Sequence, residues 1–344
     1  MKIGLVGYKG SGKSTLFHWL TGVAPDPALA RSGQSAMAVI ADPRLEQLCR
    51  IYHPKKVTPA TLEIVDTPGL SRDHHGNAQR LALIREADCL VVIVAAFDGS
   101  DPIADLRSFD EDLLLADIEV VSNRLDRIAE ALKKPLPRHE HQQLEHEQAA
   151  LKQILEAMEA GRPLRESQMK DEQRKATRAF RLLSEKPRLA MVNTADDESH
   201  AERFTALSTE ELPILAAPLG LELELSRMSA EDRAEFEREM GLTATNRDHL
   251  IHLFLRVSSY MTFFTVSEKE VRAWLFRRGG TALDAAETIH SDMARGFIRA
   301  EVMTVADLVR LGSERELKAQ HLLRQEPKDY LVQEDDILFI RFSV

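Results

Sequence analysis

A doubly wound α/β sheet, interrupted by a helical hairpin and followed by a small β-grasp module, is the architecture this sequence predicts. Three observations carry it. Ile3–Val6 is an apolar run that reads as a buried strand, Thr15–Leu20 has helical spacing, and Gly7-Tyr8-Lys9-Gly10-Ser11-Gly12-Lys13-Ser14 between them fits G-x-x-x-x-G-K-[ST] at every fixed position. Apolar runs recur at Leu62–Val65, Ala87–Ala96 and Arg188–Val192, the pattern of parallel strands covered on both faces. From about Ser259 the chain reads as a separate small domain.

The chain has 344 residues, too many for one core, so two or three domains are expected. We expect a discontinuous nucleotide domain over residues 1–118 and 185–258, a helical hairpin over 119–184, and a β-grasp domain over 259–344. Hydrophobic residues at 44% and charged residues at 29% suit a soluble globular protein. No apolar stretch reaches the ~18–20 residues that span a membrane, and no signal-peptide layout is evident, so a cytoplasmic location is expected. Cys49 and Cys89 stand apart and suggest neither a disulfide framework nor a zinc site. The net charge of −10 argues against broad non-specific binding to nucleic acid.

Each element has a chemical reading. Gly7 and Gly12 permit backbone geometry that other residues resist, and Gly10 adds freedom, so successive N–H groups can point inward and cradle phosphate oxygens. A helix starting near Lys13 adds its positive end, and this reading makes residues 7–15, through Thr15, the nucleotide-binding segment. Lys13 supplies charge for the β- and γ-phosphates, and the Ser14 hydroxyl is the expected Mg²⁺ ligand. Thr21–Ala36 is rich in Ala, Pro, Gly and Ser and reads as a mobile loop where a first switch would lie. Asp42-Pro43-Arg44-Leu45 opens a short helix, and Pro54-Lys55-Lys56-Val57 leads into the next strand. That strand ends in Asp66-Thr67-Pro68-Gly69, which reads either as an ordinary turn or as D-x-x-G, with Asp66 near the metal shell and the Gly69 N–H meeting the γ-phosphate.

Leu113, Ala116, Val120, Leu125, Ile128 and Leu132 recur at helical spacing from about Asp110, and Pro135 and Pro137 break the run. Leu144, Leu151, Leu155 and Met158 make a second stripe, and Met169–Leu183 a third helical segment. A hairpin, as a coiled coil, is expected. His139, His141 and His146 read as a solvated face rather than a metal cluster. Asn193-Thr194-Ala195-Asp196 is similar to the base-reading N-K-x-D, with Asp196 accepting from guanine and Asn193 holding the loop and the base. Thr194 replaces the Lys that covers the base, and Ala217-Pro218-Leu219 stands near the place of the usual Ser-Ala-Lys. Ile214–Leu225 reads as the last strand and loop of this domain. In the C-terminal part Thr262–Val266 and Val271–Phe276 read as paired strands, Ala282–His290 as a helix, and Gly296–Val302 and Asp336–Phe342 as further strands.

Three groups of residues then carry a resemblance along nearly the whole chain. The first is the Gly-rich loop with Asp42-Pro43-Arg44-Leu45 and Pro54-Lys55-Lys56-Val57. The second is Ile84-Arg85-Glu86-Ala87-Asp88, Leu114-Leu115-Ala116-Asp117-Ile118-Glu119 and Gly161-Arg162-Pro163-Leu164-Arg165. The third, the most specific, is Glu268–Trp274, Ile289-His290-Ser291-Asp292, Arg295–Val302 and Lys328–Gln333. In these the chain resembles the YchF-type ATPases, relatives of the Obg GTPases. The resemblance implies a nucleotide domain, an inserted coiled coil and a C-terminal TGS module that together associate with ribosomes and hydrolyse ATP or GTP. Departures are visible. Gly10 stands where the family usually has Asn, and residues 28–36 offer only Ser32 and Ser35 in place of the switch threonine that ligates Mg²⁺. Leu70 occupies the place of the water-orienting Gln of Ras-like GTPases, as in the family, and His74 and His75 read as water-orienting or as exposed loop residues. Asp196, at the end of the family's N-x-x-E element, favours guanine, while the missing Lys and Ser-Ala-Lys pull the other way; GTP and ATP both stay open.

The reading is a purine nucleoside triphosphatase working as a ribosome-associated switch, with Lys13 and Gly69 as its catalytic residues and Ser14 and Asp66 organising Mg²⁺, Asp66 through water. With no Gln and no evident arginine finger, slow intrinsic hydrolysis is expected, and a partner, the ribosome through its large subunit or RNA, would complete the site. The rival is a degenerate, non-hydrolysing scaffold that binds ribosome or RNA through the coiled coil and TGS module. A P-loop kinase of a small metabolite fits less well, because it gives no reason for D-x-x-G, N-x-x-D and a β-grasp tail together.

Overall fold

The structure, a computed structural model, describes all residues except 74, 75, 98, 162–169, 197, 199, 200, 241–246 and 344. The elements are β1 (Lys2–Val6), α1 (Lys13–Thr21), β2 (Gln34–Val39), α2 (Pro43–Tyr52), β3 (Lys56–Thr58), β4 (Thr61–Asp66), α3 (Asn77–Arg85), β5 (Cys89–Ala96), α4 (Pro102–Leu132), α5 (Arg138–Glu159), α6 (Asp171–Thr177), β6 (Arg188–Thr194), α7 (Glu202–Thr205), β7 (Ile214–Ala217), α8 (Leu219–Leu225), α9 (Ala230–Met240) and α10 (Arg247–Val257). They continue with β8 (Tyr260–Val266), β9 (Glu270–Arg277), α11 (Ala282–Ile289), α12 (Ser291–Arg295), β10 (Phe297–Thr304), α13 (Val305–Leu311), α14 (Glu314–Ala319), β11 (Arg324–Glu326) and β12 (Asp336–Phe342). Two compact units emerge, one of Lys2–Ala36 with Ile64–Thr245, the other of Met1, Met37–Glu63 and Asn246–Val344.

The first unit is built on a sheet of order β2-β4-β1-β5-β6-β7, in which β1, β5, β6 and β7 run parallel. The apolar runs end up where their composition demands. Val6, Leu90, Val92, Ala190 and Val192 are buried with Phe109 and Leu113 of α4. The chain leaves β1 toward β2 and β4 and leaves β5 toward β6, so the connections diverge between β1 and β5, which opens a crevice at their C-terminal ends.

Helix α4 starts earlier than the periodicity suggests. Asp101 accepts from the N–H groups of Ile103 (3.0 Å) and Ala104 (3.1 Å), and Pro102 fixes the first helical turn, so the helix runs unbroken for 31 residues rather than from Asp110. The hairpin core gathers Val121, Ile128, Leu151, Ile154, Met158 and Leu182; Ile128, Leu151 and Met158 belong to the stripes read from the sequence, Val121 is buried where Val120 was expected, and Leu125, Leu132, Leu144 and Leu155 pack at its edge. Arg124 ties the two long helices by a forked pair to Glu147 at 2.8 and 2.9 Å. The third segment is shorter than predicted. Helix α6 ends at Thr177, Arg181 adopts φ 49°, and Leu182 and Leu183 are buried as irregular chain. His139, His141 and His146 lie on α5, where His141 Nδ1 stands 3.4 Å from Glu145 Oε2.

The second unit has the order β11-β10-β12-β8-β9-β3. The pair β8 and β9 is antiparallel, β12 runs parallel to β8, and β10 returns antiparallel to β12, with Ala282, Ala285 and Ala286 of α11 buried. This is the predicted β-grasp. One strand was not legible: Lys56, Val57 and Thr58 pair with Glu270, Val271 and Arg272 and extend the C-terminal sheet instead of leading straight into β4. Asp42-Pro43-Arg44-Leu45 also has its reason here. Asp42 caps α2, and Arg44 pairs with it at 2.7 Å, donates to Thr262 Oγ1 at 2.8 Å and lies over the Phe264 ring. Burial opposes the Asp42 charge, but the Arg44 guanidinium outweighs it and holds the carboxyl below its usual range.

Candidate functional site

The crevice is walled by the segment between β1 and α1. Lys13 is only 6% exposed, and its ammonium donates to the Tyr8 carbonyl at 2.7 Å. Burial lowers its pKa to about 8 against the pull of Asp66. Ser14 is exposed on the first turn, and its hydroxyl donates to Asp66 Oδ2 at 2.5 Å. The other oxygen, Asp66 Oδ1, is buried without a hydrogen-bond partner. Burial raises the Asp66 pKa, more than the Ser14 hydrogen bond and the Lys13 charge lower it. A buried carboxylate oxygen left unpaired beside a hydroxyl is a donor set for a hard divalent cation.

The D-x-x-G segment is pinned to the same wall. Thr67 Oγ1 donates to the Leu5 carbonyl at 2.6 Å, the Leu70 N–H to the Gly7 carbonyl at 3.1 Å, and the Lys9 N–H to the Leu70 carbonyl at 3.3 Å. Gly69 lies so close that a Cβ there would stand 2.8 Å from Lys9 N and 2.9 Å from Lys13 Nζ. Leu70 faces the core at 1% exposure, so this position cannot orient a water in the crevice. His74 and His75 lie outside the described residues.

Lys9, Gly10, Lys13, Ser14, Asp66 and Gly69 line one cavity of about 870 Å³. The remaining loop residues form its backing. Tyr8 turns its ring inward, edge-on to Phe109, with its hydroxyl on Asp112 at 2.9 Å, so only its backbone faces the cavity side. Arg72 lies over that ring and pairs with Asp105 of α4 at 2.7 Å. Thr15 sits half-buried on α1, and Ser11 is buried. Asn193 is buried between two segments: its amide donates to the Ser11 carbonyl and its oxygen accepts from the Leu219 N–H, both at 3.1 Å. Asp196 is exposed near Gly220, outside the cavity lining, and Thr194 is 4% exposed with Oγ1 unpartnered, so it spreads no stem over a base.

The loop over residues 21–36 is more ordered than its composition suggests. Pro27–Leu29 forms a 3₁₀ turn capped by Asp26, and β2 begins at Gln34. Ser32 Oγ points to the Leu29 carbonyl, and neither Ser32 nor Ser35 is among the residues that line the cavity. The lining instead includes Arg31 and Gln34, with Gln79 and Arg80 of α3, which sequence reasoning missed. One signal was present: Arg31 is the sole cationic residue between Thr21 and Ala36.

Gly12 carries a sharp expectation. Its φ is +103°, and a Cβ would meet Asn193 Nδ2 at 2.3 Å, whereas a Cβ on Gly10 would meet nothing within 4 Å. Gly12→Ala should therefore cost roughly 1–3 kcal/mol in backbone strain plus the displaced Asn193 bridge, and Gly10→Ala the strain alone. Urea unfolding of both variants checks this, and equal losses would refute the steric part.

Residues 2–134 match the family model described as "50S ribosome-binding GTPase". Residues 260–343 match the C-terminal model of YchF GTPases, described as "Protein of unknown function (DUF933)". The chain is 30% identical to the "Ribosome-binding ATPase YchF" of Bacillus subtilis (strain 168), over 99% of each chain. It is 33% identical to "Obg-like ATPase 1" of Oryza sativa subsp. japonica, over 100% of this chain and 92% of that one. Its fold matches the Schizosaccharomyces pombe YchF GTPase structure with TM-score 0.84 and 23% identity, over 99% and 97% of the two chains. The phosphate-loop geometry and this end-to-end likeness agree: the chain belongs to the YchF family of P-loop NTPases.

Proposed function

We propose that the chain binds a purine nucleoside triphosphate with Mg²⁺, hydrolyses it, and works as a ribosome-associated conformational switch in the cytoplasm. The observation that carries this is the Ser14–Asp66 pair at 2.5 Å with its unpaired carboxylate oxygen, set beside buried Lys13. Mg²⁺, when bound, would neutralise phosphate charge, with Ser14 as ligand and Asp66 holding its shell. Lys13 and the amides of residues 7–15 hold the phosphates, Gly69 meets the γ-phosphate, and Asn193 ties the loop to the base side, where Asp196 stands. A relative's name, "Ribosome-binding ATPase YchF", and the description of the family model matched by residues 2–134, "50S ribosome-binding GTPase", support the large ribosomal subunit as partner. In this reading residues 119–184 and 259–344 are the hairpin and TGS modules that reach it. Among the described residues no helix is long and apolar enough to cross a membrane.

The test is a binding titration with ATP and GTP, with and without Mg²⁺, on the full chain and on Asp66→Asn. One purine triphosphate should bind in a Mg²⁺-dependent way, and the variant should weaken the metal-dependent part by about tenfold or more. A preference for GTP would make Asp196 a working guanine reader. Failure of both nucleotides to bind would sink the switch and leave the scaffold reading.

A further inference from the structure

The cavity has a cation that no part of the proposed phosphate loop accounts for. Arg31 lines it together with Lys13, Ser14 and Asp66. Among the described residues its guanidinium has no hydrogen bond or ion pair, whereas Arg80, in the same lining, is held by Asn77 Oδ1 at 3.0 Å. The loop that presents Arg31 is fixed by its own bonds. Gln34 accepts from the Asp26 N–H at 2.7 Å and donates to the Ala24 carbonyl at 3.1 Å, closing the loop at its base. The N–H groups of Ser32 and Gly33 both donate to the Leu29 carbonyl, at 3.1 and 2.9 Å, closing its tip. A Cβ at Gly33 would stand 3.3 Å from the Asp66 carbonyl oxygen, so the tip touches the very strand end that carries the carboxylate. Arg31 is two residues from that contact, next to Ser32, whose hydroxyl donates to the Leu29 carbonyl.

We propose that Arg31 is a catalytic residue supplied in cis to the phosphoryl group under transfer. The inference rests on the triphosphatase reading above and deepens it. In hydrolysis the water oxygen bonds to the γ-phosphorus while the bond from phosphorus to the β–γ bridging oxygen breaks. The electron pair leaves with the nucleoside diphosphate, and the water proton passes to the released phosphate or to solvent. Negative charge builds on the bridging and equatorial oxygens, and a planar guanidinium can pair with two of them at once. Such an arginine is worth ~10³–10⁵ in rate where it has been removed or supplied. A lysine is a point charge and reproduces only part of that. Beside Lys13, Arg31 adds a planar cation suited to the charge that builds on the transferring group, and with Leu70 buried water orientation is left to another residue.

The experiment is single-turnover hydrolysis by the full chain, as wild type, Arg31→Ala and Arg31→Lys, with the Kd for the Mg²⁺–nucleoside diphosphate measured in parallel. Arg31→Ala should slow hydrolysis by at least about 100-fold and leave the diphosphate Kd within about threefold, and Arg31→Lys should recover only a minor part. Wild type should also trap diphosphate with aluminium fluoride, and Arg31→Ala should not. An Arg31→Ala rate within about threefold of wild type overturns the assignment while leaving the triphosphatase reading intact. A wild-type chain that binds triphosphate without hydrolysing it overturns the assignment too, and one that binds neither nucleotide overturns both readings.

Discussion

Lys13→Ala should abolish nucleoside triphosphatase activity, by about 10³-fold or more, while leaving the unfolding midpoint nearly unchanged. The two expectations come from one observation. Lys13 is 6% exposed with its ammonium on the Tyr8 carbonyl, inside the loop that would hold the phosphates. Burial has already lowered its pKa to about 8, so the site's desolvation disfavours the charge it carries. Taking that charge away relieves a desolvation cost, which offsets the lost hydrogen bond and packing of the stem. The phosphates, in contrast, lose the one buried cation among the lysines and arginines of the lining, since Arg31 is exposed and reaches in from a different loop. Phosphate release and urea unfolding on the same preparation separate the two effects. Activity within tenfold of wild type would remove Lys13 from the mechanism, and a collapse of stability would make its role structural.

The largest loss of stability should come from Asp117→Ala. Asp117 on α4 is completely buried, yet both of its oxygens are hydrogen-bonded. Arg85 Nη1 donates to one oxygen at 2.6 Å, and the Ser184 N–H and hydroxyl both donate to the other at 2.8 Å. Arg85 also donates to the Ala116 carbonyl at 3.1 Å. The cluster therefore joins α3, α4 and the segment entering β6. Removing one partner of such a pair leaves the other charge buried and unmatched, which costs about 3–5 kcal/mol. Asp117→Asn keeps the shape and the acceptor and should cost less. Denaturant midpoints for the two variants check this, and a loss below about 1 kcal/mol for alanine would show that water reaches Arg85.

That cluster also shows where sequence reading stops. Ile84-Arg85-Glu86-Ala87-Asp88 and Leu114–Glu119 could be recognised as segments, but nothing in either said that Arg85 and Asp117, 32 residues apart, meet. The phosphate loop was legible because its chemistry is local: a strand, fixed glycines, a lysine and a hydroxyl in a few consecutive positions. Asn193 was legible for the same reason, one element at the end of one strand. Arg31 was not, since its approach to the cavity depends on Gln34 closing a loop and on Gly33 reaching Asp66. Lys56–Thr58 escaped notice because a three-residue strand has no periodicity of its own and is defined only by its partner more than two hundred residues later. Helix α6 fell short of its periodic stretch because Arg181 takes a left-handed turn that burial of Leu182 and Leu183 stabilises.

The length of α4 has a mechanical consequence. Its 31 residues make a rod of about 46 Å, held near its start by Asp105, Asp112 and Asp117 and entering the hairpin farther on. Arg72, just past the D-x-x-G segment, grips that rod at Asp105 while resting on Tyr8. Any rearrangement of the segment that shifts Arg72 acts on the short arm of a lever. With the pivot at Asp112, a tilt of about 5° moves the Asp105 end by about 1 Å and carries the far end, about 30 Å away, through about 3 Å. An event on the scale of one phosphate would thus be read out at the hairpin tip as a change of position that a large partner can feel.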